Sequence, residues 1–187
     1  GYLYIPTVAL GRLVETPQQI QAMISRYLDA DGVLAVNSSV TGGYGAWSEL
    51  PAIVDEKLTW RMPAGSQKTM PETWDAGALG SAIFPGATSP RVVSINTHAD
   101  ETRMLPGIPN AEDGTFTDGQ LYKTSTPSSA QLSSLNGSLI FLIGCHAGNN
   151  LPSAYYGDVT DWVDVFSNAG GYVGNTGYGL ANNVTTA

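Results

Sequence analysis

One run, Leu139-Ile140-Phe141-Leu142-Ile143, does most to limit what this chain can fold into. It is far too short to cross a membrane and too continuously apolar for a half-solvated strand. Bounded by Gly137-Ser138 and by Gly144, it reads as a strand buried on both faces, the kind that the core of a parallel sheet demands. The run stops at Gly144-Cys145-His146-Ala147-Gly148, which holds the only cysteine of the sequence. In open α/β sheets, chemistry collects at the carboxyl ends of the strands, because the loops leaving them build a concave edge. Cys145 is expected at that edge, with Gly144 and Gly148 letting the backbone turn and leaving N–H groups near the sulfur. A second apolar stretch, Arg91 to Thr97, runs into His98-Ala99-Asp100. A His and a Cys are thus expected at equivalent ends of neighbouring strands, as candidate base and candidate nucleophile.

At 187 residues the chain is expected to be one domain, residues 1–187, long enough for a layered core. Only 13% of residues are charged and the formal net charge is -8. That balance argues against nucleic acid or an anionic membrane as a partner, since phosphate binding requires clustered Lys and Arg. No apolar run is long enough for a membrane span, and Gly1-Tyr2-Leu3-Tyr4 is not a signal peptide. The neutral, Gly-rich and Ser/Thr-rich surface is the kind common in exported or cell-surface proteins, and the chain reads as a piece of a longer precursor. One cysteine excludes an internal disulfide framework.

In chain order, Tyr4 to Leu13 reads as an extended lead-in, and Thr16-Pro17 caps a helix with Ile20, Met23, Ile24 and Tyr27 on one stripe, ended by Gly32. Val33 to Asn37 is expected to be the first core strand, followed by a polar loop from Ser38 to Gly45 and a helix from about Ala46 to Leu58. Thr59 to Pro90 is poorly patterned, apart from a short helix expected to start near Pro71 to Asp75. Glu101 to Gly137 reads as a long substrate-side connection. Asp158 to Ala169 is expected to be helical, and Gly170 to Asn175 the last strand. Strand alternates with helix, the α/β pattern.

Several motifs in this order resemble those of gingipain-like cysteine peptidases. They are Tyr4 to Leu13 with its "GRL" end, Asn96-Thr97-His98-Ala99 before a long insertion, Ile143 to Gly148, and Gly174-Asn175-Thr176-Gly177-Tyr178-Gly179. The resemblance implies a caspase-like or gingipain-like three-layer sandwich, with a mostly parallel sheet and helices on both faces. It also implies a His-Cys dyad that cleaves peptide bonds, with Cys145 as nucleophile and His98 as its partner. The family usually has Gly after that His, where this chain has Ala99. It often carries an acid just after the first core strand to orient the His, whereas Asn37-Ser38-Ser39-Val40-Thr41 holds no carboxylate.

The residues suit that chemistry independently. A free thiol of pKa about 8.5 is only a few per cent ionised at neutral pH, so an imidazole beside it raises the reactive fraction. The backbone N–H groups of Cys145 and Ala99 are the candidate oxyanion donors. His146 is expected to be structural or to line the cleft, with its ring turned away from the sulfur where the strand's alternation persists. Cys145, His146, His98 and Asp100 are all competent zinc ligands but show none of the usual paired spacings, so no metal is assigned. No cofactor is assigned either; Glu112, Asp113 and Asp118 offer oxygen ligands to calcium in a spacing that does not by itself make a site. Glu49 is the candidate acid of a specificity pocket for Arg or Lys side chains. The expected partner is a peptide or protein substrate, with other parts of the same precursor as a further candidate. The alternative function is a catalytically idle module with a binding or structural role in a larger surface protein.

Overall fold

The computed structural model describes residues 16–107 and 117–178. Its centre is a five-stranded sheet in the order β2-β1-β3-β6-β7, built from β1 (Ser39–Gly43), β2 (Gln67–Thr69), β3 (Val92–Asn96), β6 (Leu139–Ile143) and β7 (Gly171–Gly174). Every neighbouring pair in it is parallel. β4 (Arg103–Met104) and β5 (Tyr122–Lys123) form a separate antiparallel pair. Helices α2 (Leu50–Leu58) and α3 (Ala76–Ile83) connect β1 to β2 and β2 to β3. These crossovers travel in opposite directions along the sheet, so right-handed connections put the helices on opposite faces.

The register sorts the side chains by face, because parallel partners point the same way. Val40, Val93 and Ile140 share one row, and Ile95 and Leu142 the next. This face packs against Leu79 and Ile83 of α3, and against Trp162, Val165 and Phe166, in one cluster of buried residues. Trp162 and Val165 belong to α6 (Trp162–Val165), capped by the Asp161 carboxylate on the Asp164 N–H. The opposite face of β1 and β3 is polar where α2 covers it: the Thr41 hydroxyl donates to Asp55 Oδ2 of α2 at 2.9 Å, and Ser94 and Asn96 are buried.

The first core strand is not where the apolar pattern put it. Val33 to Asn37 is irregular, with Val33 67% exposed, and the strand is Ser39–Gly43, buried throughout. The reason is space: β1 lies between two strands and directly under α2, and a Cβ on Gly43 would come 2.5 Å from the Trp47 carbonyl oxygen. At Gly43 no side chain fits beneath the Trp47 carbonyl, so tertiary packing overrides strand propensity. β6 is also less enclosed than its composition implies, since its burial alternates and Leu139, Phe141 and Ile143 are half-buried.

Other segments differ in extent. Thr16 caps α1 (Pro17–Asp29) with a reciprocal Gln19 bond, yet no residue of α1 is buried, and Tyr27 and Leu28 are largely exposed. The poorly patterned region holds β2 and α3, whose N-cap is Asp75. The connection from Glu101 to Gly137 is no mere excursion: it supplies β4, β5 and α4 (Ser129–Ser134) and sends Met104 and Tyr122 into the core, where Tyr122 stacks on Trp162 with centroids 6.1 Å apart. The helix expected over Asp158 to Ala169 is confined to α6 and a following turn. The lead-in Tyr4 to Leu13 lies outside the described residues. Among the described residues no helix is long and apolar enough to cross a membrane.

Candidate functional site

β3 and β6 are direct neighbours, with Asn96 opposite Ile143. The ladder continues past the strand ends, since the Thr97 N–H donates to Ile143 O at 3.3 Å. His98 and Cys145 each come two residues after the Asn96–Ile143 pair, where the chains leave the ladder: Cys145 enters a turn and Ala99 bridges to Met104. The chains stay in contact there: a Cβ on Gly144 would fall 2.5 Å from Ala99 Cβ and 3.3 Å from Ala99 N. Gly144 is therefore the residue that lets the two strand ends close up, just before the sulfur and just after the imidazole. Cys145 and His98 are both half-buried, reachable from solvent without being fully open to it.

His98 is held by aromatic rings. Its ring meets Trp47 edge-to-face at 4.5 Å and 77°, and Tyr44 lies 6.2 Å away. Such pairs contribute about 0.5–1.5 kcal/mol beyond burial and fix the ring plane. Trp47 itself is 5% exposed. The backbone on either side is fixed as well. Thr97 Oγ1 lies 2.7 Å from Leu105 O, and the Leu105 N–H donates to His98 O at 2.9 Å. Among the described residues no carboxylate hydrogen-bonds the His98 ring.

Cys145 opens a tight turn that ends at Gly148. β7 and the segment after it strap this turn down: His146 N–H donates to Gly177 O and Gly148 N–H to Asn175 O, both at 2.7 Å, and Tyr172 Oη of β7 donates to Ala147 O at 2.5 Å. The Gly148 N–H is thus spent on that strap and does not face the sulfur. The Ala99 and Cys145 N–H groups are not engaged by a backbone carbonyl among the described residues. His146 sits at φ +58, the left-handed region that costs a non-glycine residue about 1–2 kcal/mol. Its ring packs on Tyr178 at 4.9 Å, and Nδ1 lies 3.3 Å from Asn149 Nδ2.

The acids nearby are otherwise employed. Burial pushes the Asp100 carboxyl up, but the Arg103 guanidinium and the N–H groups of Thr102 and Arg103 outweigh it and hold it below the usual carboxylate range. Asp100 Oδ2 takes Arg103 Nε at 2.7 Å, and Oδ1 takes the Thr102 and Arg103 N–H groups at 2.8 Å. Glu101 accepts from Asn149 Nδ2 at 3.2 Å. Glu49 is exposed at the N-cap of α2, two residues beyond the Trp47 that contacts His98. Asp118 pairs with Lys123, while Glu112 and Asp113 lie outside the described residues. Among the described residues no group of three or more His, Cys, Asp or Glu side chains is arranged to hold a metal ion.

Reading the residues alone missed the part played by Trp47 and Tyr44. Their only signal was aromatic character just after the first strand, which packing alone would also explain. Comparison with family models, with curated proteins and with solved structures finds nothing that matches this chain. Any functional reading of the chain therefore rests on the α/β fold, with its mostly parallel sheet, and on the geometry of the strand ends.

Proposed function

We propose that the chain is a cysteine endopeptidase of the gingipain-like kind its motifs resemble, with a caspase-like sheet and a His98–Cys145 dyad. The observation that supports it best is the β3–β6 register, with Asn96 opposite Ile143, which brings the strand ends that precede His98 and Cys145 side by side at one sheet edge. In this reading His98 takes the thiol proton and the Cys145 thiolate attacks the scissile carbonyl carbon, forming a C–S bond. The carbonyl electrons move to an oxyanion facing the Cys145 and Ala99 N–H groups. They then return and expel the amine, which leaves with the proton from His98. Water, deprotonated by His98, attacks the resulting thioester and releases the acid and the free thiol. Trp47 keeps the imidazole in plane, the task an acid performs elsewhere; an orienting group sets ring position and does not make bonds. Export or surface display, and membership of a larger precursor, belong to the same proposal.

A second reading, an idle module that binds without cleaving, is favoured by the absence of a carboxylate on the His98 ring among the described residues. A thiol-reactive peptide probe separates the two. Fast labelling confined to Cys145 and lost in a folded His98→Ala protein supports the peptidase. Slow alkylation at the rate of a free thiol, unchanged by His98→Ala, overturns it in favour of the module.

A further inference from the structure

At the other end of the sheet lies a cleft of about 250 Å³ whose lining includes Arg91, Gly137 and Gly170, the residues that lead into β3, β6 and β7. It therefore sits at the amino ends of the strands, opposite the edge that carries Cys145. Two of the chain's eight Lys and Arg residues line it, Arg26 and Arg91, and no carboxylate does. Among the described residues the ion pairs join Lys57 to Glu56, Arg103 to Asp100 and Lys123 to Asp118, so neither cleft arginine has an acidic partner.

Both are held in place by backbone. Arg26 Nη2 donates to Ser167 O, and Arg91 Nη1 donates to Asn136 O at 2.7 Å. A side chain on Gly137, which sits at φ +80, would run into the Arg91 guanidinium, so the loop is shaped around it. Arg26 Nε is buried and makes no hydrogen bond of its own among the described residues, so the Ser167 carbonyl contact at Nη2 is what anchors the side chain. Guanidinium forks fixed in this way match the geometry of carboxylate and phosphate oxygens, and holding them beforehand reduces the entropy lost on binding. The remaining wall is Tyr27, Val33, Leu34 and backbone, which suits a short apolar body. The volume is below the roughly 300–1,000 Å³ of drug-sized sites, so the ligand is small.

We propose that this cleft binds a small dianion, a dicarboxylate or a phosphate, between Arg26 and Arg91, independently of Cys145. Thermal unfolding of the purified chain, titrated with succinate or with inorganic phosphate against sodium chloride of equal ionic strength, tests it. The midpoint is expected to rise saturably with one or both anions beyond the chloride control. A rise with succinate alone identifies a carboxylate ligand, and one with phosphate alone a phosphate ligand. Arg91→Gln is expected to weaken the binding by about tenfold or more, the loss typical of a charge-assisted hydrogen bond, without unfolding the protein. Arg26→Gln should weaken it likewise and lower the unliganded midpoint through the lost Ser167 bond. Should Arg26→Gln fail to fold, Arg91→Gln decides alone. No rise beyond chloride with either anion, or an undiminished rise in Arg91→Gln, overturns the proposal.

Discussion

Adding one methyl group at Gly144 tests the closeness of the two strand ends directly. The new Cβ would sit 2.5 Å from Ala99 Cβ and 3.0 Å from Thr97 O. Carbon atoms in contact settle at about 3.5–4.0 Å, so the ends of β3 and β6 must part by about 1 Å. Overpacking of this kind costs about 1–3 kcal/mol of stability. In the proposed mechanism the parted ends carry the reacting groups His98 and Cys145, and about 1 Å between reacting groups is worth on the order of 100-fold in rate. Urea unfolding of Gly144→Ala should therefore show the stability loss, and labelling of Cys145 by a peptide probe should slow by a far larger factor than that loss implies. Ala99→Gly removes the opposing methyl, so the double variant Gly144→Ala/Ala99→Gly should regain most of both quantities, leaving the tight contacts with Thr97 O and with the backbone N of residue 99. A coupling of at least about 1 kcal/mol between the two sites is the expected result of the cycle. If Gly144→Ala lies within about 0.5 kcal/mol of the parent, or the two changes simply add, the strand ends do not meet as described.

The site sets four further outcomes. Cys145→Ala should fold and show no turnover of a peptide substrate, while His98→Ala should lose far more rate than His146→Ala; the reverse order would make His146 the base. His146→Val should lower the unfolding free energy by about 1–2 kcal/mol, because a β-branched residue tolerates φ +58 poorly, whereas His146→Gly should be close to neutral in the same urea titration. The Asp100 carboxyl is held below its ordinary value, so its contribution is complete above the unfolded pKa of about 3.9 and is lost as pH falls through the lower folded value; Asp100→Asn should flatten the acid limb of stability below about pH 4 in unfolding curves taken from neutral to acid. Glu49 is exposed, so if it favours Arg or Lys side chains it does so by no more than about 1 kcal/mol, and library profiling should show Glu49→Gln changing that preference by about fivefold or less.

The parts of the fold legible beforehand are those that local pattern dictates. Leu139–Ile143 and Val92–Asn96 are apolar enough to be read as strands, and Thr16 with Gln19 reads as a helix start, because each signal is complete within a few residues. The segments leaving the two strands carry His98 and Cys145, so their placement at one edge of the sheet was legible too. β1 was not, because Ser39-Val40-Thr41-Gly42-Gly43 is a strand by virtue of what lies above and beside it. The same holds for Trp47, whose contact with His98 spans the chain from the start of α2 to the end of β3. Gly144 illustrates the limit most sharply: a turn glycine by sequence, it is a spacer against Ala99 in the fold.

The order of the strands also sets a timetable. β1, α2 and β2 close over short stretches, whereas β3 and β6 pair only after residues 97–138, with their own hairpin and helix, have been looped out. Closing long loops is what makes parallel pairings slow, since the entropy is lost before the contacts are gained. His98 and Cys145 stand on opposite sides of that closure. Under the proposed function, a chain that has formed every local element but not this pairing holds Cys145 as an ordinary thiol, as inert towards a substrate as a cysteine in an unfolded peptide. On that reading the time course of Cys145 reactivity after dilution from denaturant is a clock for the pairing of β3 with β6.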